Sequence, residues 1–191
     1  YDASTDRPTE TYMQTEAGYK AFRTAYDYDA LGHVTKITSP KATYDLVYDA
    51  FGNISSVAVD DHTIMEYFYN ANNGKLAEQY YGDGTDIEYG YDAKERLNQL
   101  KINGTLKAEY EYDDAGRLRE YKEGSSLKEQ YHYDLQERLD GKVVKRSGMQ
   151  DITMRYGFDA NENVTHITYT QGDTQQKIEN TYNEADWLAS S

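Results

Sequence analysis

The stretch Tyr110-Glu111-Tyr112-Asp113-Asp114-Ala115-Gly116-Arg117-Leu118 contains the pattern that decides the fold. An aromatic residue followed by Asp or Asn, then by a tight polar turn and an aliphatic residue, occurs eight times along the 191 residues, at spacings of 20 to 25 residues. A regular period of this length predicts a repeat architecture, in which each unit buries its apolar surface against its neighbours. The eight anchor pairs are Tyr28-Asp29, Tyr48-Asp49, Tyr69-Asn70, Tyr91-Asp92, Tyr112-Asp113, Tyr133-Asp134, Phe158-Asp159 and Tyr182-Asn183.

Apolar and polar residues alternate in the segment before each anchor. Between residues 106 and 112, the apolar side chains occupy the even positions and charged side chains the odd positions. Successive side chains of a β-strand point to opposite faces, and Tyr, Phe and Ile favour strands. Each anchor is therefore predicted to end a strand that carries its aromatic residues on one face.

A short polar turn follows each anchor. Asp opens and Gly closes this segment at 29–32, 49–52 and 113–116, which is typical of a type I turn that ends in a G1-type bulge. In four repeats an acidic residue stands where Gly would be. Those turns must either adopt another geometry or hold a strained residue, because non-glycine residues rarely take a positive φ. The four residues are Glu95, Glu137, Glu162 and Asp186.

A second aliphatic strand follows each turn and leads into another turn, such as Asn103-Gly104. Each repeat therefore predicts two antiparallel strands, and eight repeats predict roughly sixteen. A sheet of that width must curl, because strand twist accumulates. We expect an all-β fold in which tandem antiparallel β-hairpin repeats form a long curved or spiralling sheet. Which face is buried stays open, since the aliphatic positions after each turn do not keep a single parity.

The repeats suggest one domain over residues 1–191, regular from about residue 22. Tyr1-Asp2-Ala3-Ser4 resembles the tail of a preceding repeat, so we expect the chain to be a piece of a longer protein. The segment from Tyr1 to Ala21 is less regular, and an edge strand or a loop is expected there.

Composition narrows the classes of partner. A net charge of −14 disfavours nucleic acid and anionic membrane surfaces, and no apolar segment is long enough for a membrane-spanning helix. The mean hydropathy of −0.95 is low, yet 21 tyrosines supply apolar rings that hydropathy scales undercount. There is no cysteine, which excludes disulfides and thiol chemistry.

No catalytic, cofactor-binding or metal-binding set can be argued from the sequence, and the chain is not expected to be an enzyme. The four histidines lie in different repeats, and each turn offers one Asp where a calcium loop needs several converging oxygens. Arg96, Arg117 and Arg138 follow their turns at one equivalent position, which favours salt bridges to neighbouring Asp residues over ligand binding. The residues expected to matter are structural repeat anchors: Tyr28, Asp29, Gly32, Tyr48, Asp49, Gly52, Tyr69, Gly74, Tyr91, Asp92, Tyr112, Asp113, Gly116, Tyr133, Asp134, Phe158, Asp159 and Tyr182.

The motif at 110–118 resembles the YD, or Rhs, repeat, and the resemblance extends from about residue 22 onward. Proteins with such repeats include bacterial Rhs and wall-associated polymorphic toxins, the shell component of insecticidal toxin complexes, and teneurins. The resemblance implies a β-shell that encloses a toxin or effector cargo, in a secreted or cell-surface protein. The core segment that follows the repeats in that family, with its self-cleavage aspartates, has no match here.

Two functions compete at this stage. The first is a non-enzymatic wall segment whose partners are the remainder of its own chain, namely the core segment and the cargo domain. The second is a carbohydrate-binding module that recognises cell-surface glycan through exposed tyrosines. Exposed strand edges also predict self-association.

Overall fold

The computed structural model describes residues 1, 6–14, 16 and 18–191, and all regular secondary structure in these residues is β-strand. Consecutive strands pair antiparallel as hairpins. The predicted all-β class with tandem antiparallel hairpins is therefore confirmed. Asp2, Ala3 and Ser4, from the predicted tail of a preceding repeat, lie outside the described residues.

The chain divides into two compact units. The first comprises Tyr1–Tyr89 and Ile102–Gly104, and the second comprises Gly90–Lys101 and Thr105–Ser191. The interpretation of residues 1–191 as a single repeat region stays a prediction.

In the first unit, the strands lie side by side in chain order, and each pairs with the next. The first of them, β1, lies in the segment expected to be an edge strand or a loop. The strands are β1 (Glu10–Gln14), β2 (Lys20–Tyr28), β3 (Val34–Thr38), β4 (Thr43–Tyr48), β5 (Ile54–Val59), β6 (His62–Tyr69), β7 (Leu76–Tyr81) and, mainly in this unit, β8 (Asp86–Tyr91).

In the second unit, chain-order pairing runs from β10 to β16, and β17 and β18 form a separate two-stranded sheet. The strands are β9 (Leu97–Ile102, mainly in this unit), β10 (Thr105–Tyr112), β11 (Leu118–Glu123), β12 (Ser126–Tyr133), β13 (Leu139–Val144), β14 (Ile152–Phe158), β15 (Val164–Gln171), β16 (Thr174–Glu179), β17 (Thr181–Tyr182) and β18 (Leu188–Ser190).

Seven of the eight turns after the anchors share one backbone geometry, whether they close with Gly or with an acidic residue. Gly116 has a φ of 91°, and its amide donates to the carbonyl oxygen of Asp113 at 3.0 Å. Glu137 has a φ of 66°, and its amide donates to the carbonyl oxygen of Asp134 at 3.0 Å. Of the two alternatives that the sequence left open, the strained residue is the one observed. It is seen at Glu95, Glu137, Glu162 and Asp186, with φ of 62°, 66°, 70° and 58°.

This strain predicts a reciprocal effect of two substitutions. Glu137→Gly should raise the free energy of unfolding by about 1 kcal/mol, because a left-handed backbone costs an L-residue roughly that much. Gly116→Glu should lower it by about the same amount. Urea unfolding followed by circular dichroism measures both. If both variants were as stable as the unmodified chain, the positive φ at these positions would not be a source of strain.

A β-bulge after seven of the eight turns explains why the aliphatic residues do not keep one parity. Glu111 lies opposite Glu120 and Tyr112 lies opposite Leu118, so Arg119 has no partner in the register. The extra residue reverses the parity and returns the following aliphatic side chains to the face of the tyrosines. The same shift occurs beside Tyr28, Tyr48, Tyr69, Tyr133, Phe158 and Tyr182.

Each sheet consequently has a tyrosine face and a polar face. We call the face of the anchor rings the tyrosine face; in the second unit it carries Tyr110, Tyr112, Leu118 and Tyr121. The polar face is the opposite one, which carries Glu109, Glu111, Glu120 and Lys122 there.

Neither face is covered by a second layer of structure within its own unit. Among the described residues, only three are buried: Ala108 and Gln79, with 7% and 8% of their surface exposed, and Gly141. The tyrosines are mostly half-buried and pack sideways along their face, as Tyr110 and Tyr121 do at a ring-centroid distance of 5.6 Å. Lateral packing within one layer therefore takes the place of a conventional core.

Candidate functional site: the seam between repeats

The features shared by most repeats converge where one turn meets the anchor of the next repeat. We call this zone the seam. It consists of an Asp or Asn that caps its own turn, a side chain four residues later that reaches the next anchor ring, and the hydroxyl of that ring.

The anchor carboxylate caps the turn from inside. Asp134 Oδ1 accepts the amides of Gln136 and Arg138, both at 2.9 Å. Asp92 Oδ1 accepts the amides of Lys94 and Arg96 at the same distance. Because such a turn leaves these amides without main-chain partners, a short acceptor at the anchor position stabilises it.

Hydrogen bonding holds the anchor carboxylates in their charged form. The pKa of Asp92 is lowered because the backbone amide and then the guanidinium of Arg96 donate to it. The pKa of Asp49 is lowered chiefly by the side-chain amide of Asn53. At Asp113 and Asp134, desolvation raises the pKa, but the bonds from Arg117 and Arg138 outweigh it, so the pKa stays below its usual value.

An arginine then joins the turn to the next repeat. Arg117 donates from Nε to Asp113 Oδ2 at 2.7 Å, and its Nη2 lies 2.7 Å from the same oxygen. Its guanidinium carbon also lies 4.4 Å from the centre of the Tyr133 ring. The planar guanidinium suits both contacts, since it pairs with a carboxylate at its edge and stacks on an aromatic ring with its face. Arg96 and Arg138 lie in the same way over Tyr112 and Phe158, at 4.5 and 4.4 Å.

Other side chains occupy the arginine position elsewhere. His33 Nδ1 lies 2.9 Å from Asp29 Oδ2, and its ring stacks on Tyr48 at 4.7 Å. Asn53 and Asn163 donate from Nδ2 to their anchor carboxylates at 3.0 and 3.2 Å. These residues keep the bond to the turn, and His33 also keeps the contact with the next ring.

The tyrosine hydroxyls form a second connection between repeats. The hydroxyl of Tyr112 donates to the carbonyl oxygen of Leu97 at 2.7 Å, and that of Tyr133 donates to Leu118 at 2.9 Å. In both cases the acceptor begins the second strand of the preceding repeat. Burial raises the pKa of both phenols. Equivalent bonds join Tyr28 to Pro8, Tyr48 to Val34, Tyr69 to Ile54 and Tyr182 to Val164, at 2.8 to 3.0 Å.

The hydroxyl bond was missed by the sequence analysis, although a signal for it exists. Seven of the eight anchors are Tyr and one is Phe158. A ring needed only as an apolar wedge would accept Phe as readily as Tyr, so the persistent hydroxyl indicates a polar partner.

The structure places the predicted anchors together at the seam of each repeat. Every predicted Tyr or Phe ends its strand, each predicted Asp follows it, and the predicted Gly residues close their turns. Gly74 closes a turn that is one residue longer, since its amide donates to Asn70 at 2.8 Å.

Two further observations concern metal binding and membrane-spanning helices. In the described part of the chain, no group of three or more His, Cys, Asp or Glu residues is positioned to hold a metal ion. No helix among the described residues is long and apolar enough to cross a membrane.

Comparison with known proteins places these observations in context. The family model described as Teneurin YD-shell matches residues 7–139. Among curated proteins, none matches this sequence.

Solved structures with a similar fold come from TcdB2-TccC3 assemblies. The chain in the crystal structure of TcdB2-TccC3-Cdc42 is 16% identical, with a TM-score of 0.71 over 92% of this chain and 11% of that chain. TcdB2-TccC3 without hypervariable C-terminal region is 16% identical, with a TM-score of 0.72 over 94% of this chain and 12% of that chain. TcdB2-TccC3-TEV is 17% identical, with a TM-score of 0.70 over 91% and 11%. The chain thus spans about a ninth of the length of the structures that it matches.

Proposed function

Because this chain belongs to the Teneurin YD-shell family, we propose that it is a stretch of wall that encloses a toxin or effector cargo carried by the same polypeptide. Its place in the family makes it a structural shell segment. The proposal that the wall encloses cargo is supported by the seam. There an ion pair, a ring contact and a hydroxyl bond join the turn to the next anchor ring. A structure built from such joints gains rigidity without forming a reaction centre. We propose no enzymatic activity.

The two faces suggest how the wall is oriented. The tyrosine face presents rings and aliphatic side chains that are half-buried in one layer, whereas the polar face carries charged rows. Covering the tyrosine face removes apolar surface from water, which is the larger gain. We therefore propose that the tyrosine face lines the interior and that the polar face meets solvent.

Labelling of introduced cysteines tests this orientation, because the chain has none of its own. Glu123 lies on the tyrosine face and Arg155 on the polar face, and both are exposed. The experiment uses the longer protein of which this chain is proposed to be a part, together with its cargo. There a bulky polyethylene-glycol maleimide should modify Arg155→Cys and leave Glu123→Cys unmodified. Peptide mass spectrometry locates the modified positions. The isolated 191-residue chain is the control, in which both positions should react. Equal modification of both positions in the parent protein would refute enclosure by this face.

A glycan-binding module is the alternative, and exposed tyrosines favour it. Tyr12, Tyr19, Tyr44 and Tyr80 present their rings to solvent in the first unit, where they are able to stack on sugar faces. Glycan-array binding that is lost on Tyr→Ala changes at these positions would establish it. A folded chain that binds no glycan would leave the wall as the function.

The proposed location is extracellular or at the surface of a bacterium, either secreted or associated with the cell wall. A net charge of −14 keeps a tyrosine-rich sheet soluble in that setting. Fractionation of cells that produce the parent protein tests this, and recovery in the cytoplasm alone would contradict it.

Because β16 is an exposed strand, we expect the isolated chain to self-associate. All six of its residues are exposed, and β16 pairs with β15. Since an uncovered strand edge is a template for pairing, light scattering should show a mass that rises with concentration. Ile178→Lys places a charge on this strand and should reduce the effect. A constant monomer mass at the highest soluble concentration would contradict the prediction.

A further inference from the structure

An exposed aromatic pair interrupts the polar face of the first unit. The rings of Phe68 and Tyr80 meet edge to face, with centroids 5.5 Å apart and an interplanar angle of 83°. Phe68 is 49% exposed and Tyr80 is 41% exposed. Both lie on the polar face, because Phe68 is opposite Glu78 and Tyr80 is opposite Glu66 in the hairpin register.

The seam does not require this pair. In the other repeats, the residue before the anchor is Asp27, Val47, Gly90, Glu111, His132, Gly157 or Thr181, so only the third repeat has a Phe, Tyr or Trp there. Two large rings in contact and exposed together on a face that carries mostly polar side chains are a feature that partner-binding surfaces share.

Carboxylates flank the two rings without a cation of their own. The hydroxyl of Tyr80 donates to Glu78 Oε2 at 3.2 Å. In the described part of the chain, neither Glu66 nor Glu78 forms an ion pair. The contrast is with the second unit, where Glu111 on the polar face is paired with Arg119 at 2.7 Å and also with Lys122. The surroundings of Phe68 and Tyr80 therefore combine ring faces with uncompensated negative charge.

We propose that Phe68, Tyr80, Glu66 and Glu78 form a docking site for an arginine side chain of a basic partner polypeptide. A cation is attracted to an aromatic face within about 6 Å, and a guanidinium can meet a carboxylate at its edge while it stacks on a ring. Arginine suits this combination better than lysine, because its planar fork makes both contacts together. The surplus negative charge of the chain steers a basic segment toward the site. The proposal does not depend on the enclosure of cargo, since it concerns the polar face alone.

Nuclear magnetic resonance of the whole chain tests the site with two matched peptides, acetyl-triarginine amide and acetyl-tricitrulline amide. Citrulline has nearly the shape of arginine but no charge. We expect saturable shifts of the Phe68 and Tyr80 ring signals with the arginine peptide and none with the citrulline peptide. Equal effects of both peptides would overturn the proposal. Shifts spread evenly over all acidic regions, with the Phe68 and Tyr80 rings no more affected than Tyr110 or Tyr121, would overturn it as well.

Variants then separate the rings from the charge. Phe68→Leu keeps apolar volume but removes the ring, and it should weaken binding of the arginine peptide about two- to fivefold. The double variant Glu66→Gln with Glu78→Gln should weaken it further and reduce its salt dependence. Phe51→Leu is the control, because Phe51 is 82% exposed at a turn outside the site and its loss should change nothing. If the Phe68→Leu variant binds the arginine peptide as tightly as the unmodified chain does, the rings are not part of a binding site.

Discussion

Replacement of Tyr133 with alanine is expected to lower the free energy of unfolding by about 2–4 kcal/mol. Loss of a large buried ring costs roughly 3–5 kcal/mol, and the partial exposure of this ring reduces that amount. The variant loses three contacts together: the ring beneath Arg117 at 4.4 Å, the hydroxyl bond to Leu118 at 2.9 Å and lateral packing on the tyrosine face. Urea unfolding followed by circular dichroism measures the change.

Two conservative exchanges divide this effect. Tyr133→Phe removes only the hydroxyl and should cost about 1 kcal/mol, the usual net value of one hydrogen bond. Phe158→Tyr is the reverse exchange at an anchor that lacks a hydroxyl, and it should stabilise the chain by about 0.5–1 kcal/mol. If Tyr133→Phe and Phe158→Tyr both leave stability unchanged, the hydroxyl bonds do not hold neighbouring repeats together.

Acidification is expected to unfold the chain over a narrow range of pH. Asp49, Asp92, Asp113, Asp134 and Asp159 all have a pKa below the usual value, so the folded state favours their charged form. A group with a lowered pKa contributes stability above its unfolded value, near pH 3.9, and loses it as the pH falls through the folded value. Stability should therefore be nearly constant from about pH 7 to pH 5 and should fall steeply below about pH 4.

The net charge of the chain has the opposite effect on stability as the pH falls, so the direction of the change shows which effect is larger. At neutral pH the chain carries a charge of −14, and protonation relieves the resulting repulsion. A gain in stability between pH 5 and pH 3 would show that repulsion dominates and that the carboxylate caps contribute little. Unfolding followed by circular dichroism between pH 5 and pH 3 measures the stability and shows whether repulsion or the carboxylate caps dominate.

Asp134→Asn provides the control for a single cap. Asn already stands at the anchors Asn70 and Asn183, where Oδ1 accepts amides of the turn at 2.9 to 3.0 Å. The variant should therefore keep the turn but lose the ion pair with Arg138, and its midpoint of acid unfolding should move to higher pH, because the stabilising charge of Asp134 is absent. A midpoint that stays at the value of the unmodified chain would show that the charge of Asp134 matters less than its shape.

Local patterns in the sequence were enough to predict the hairpins. Alternation between residues 106 and 112 predicts β10, and the Asp and Gly that bracket 113–116 predict the turn that follows. Both signals depend only on neighbouring residues, so no knowledge of tertiary structure is needed. The parity of the aliphatic residues did not identify the buried face, since a bulge at Arg119 inserts one residue that alternation cannot reveal.

The contacts between repeats were harder to predict than the hairpins. The equivalent placement of Arg117 and its relatives indicated pairing with Asp, yet the stacking on Tyr133 was not anticipated, because residues 117 and 133 meet only once the register is known. The same holds for Phe68 and Tyr80, which are brought together across a hairpin. Registers are set by turns and bulges over many residues, and single-sequence patterns report them poorly.

Electron cryomicroscopy of the parent protein with its cargo tests the central claim most directly. The account predicts that the strands of this chain form part of a wall around enclosed density, with the rings of Tyr112 and Tyr133 facing that density and the Glu111 and Glu120 row facing solvent. A map in which the tyrosine face meets bulk solvent, or in which no density is enclosed, would contradict it.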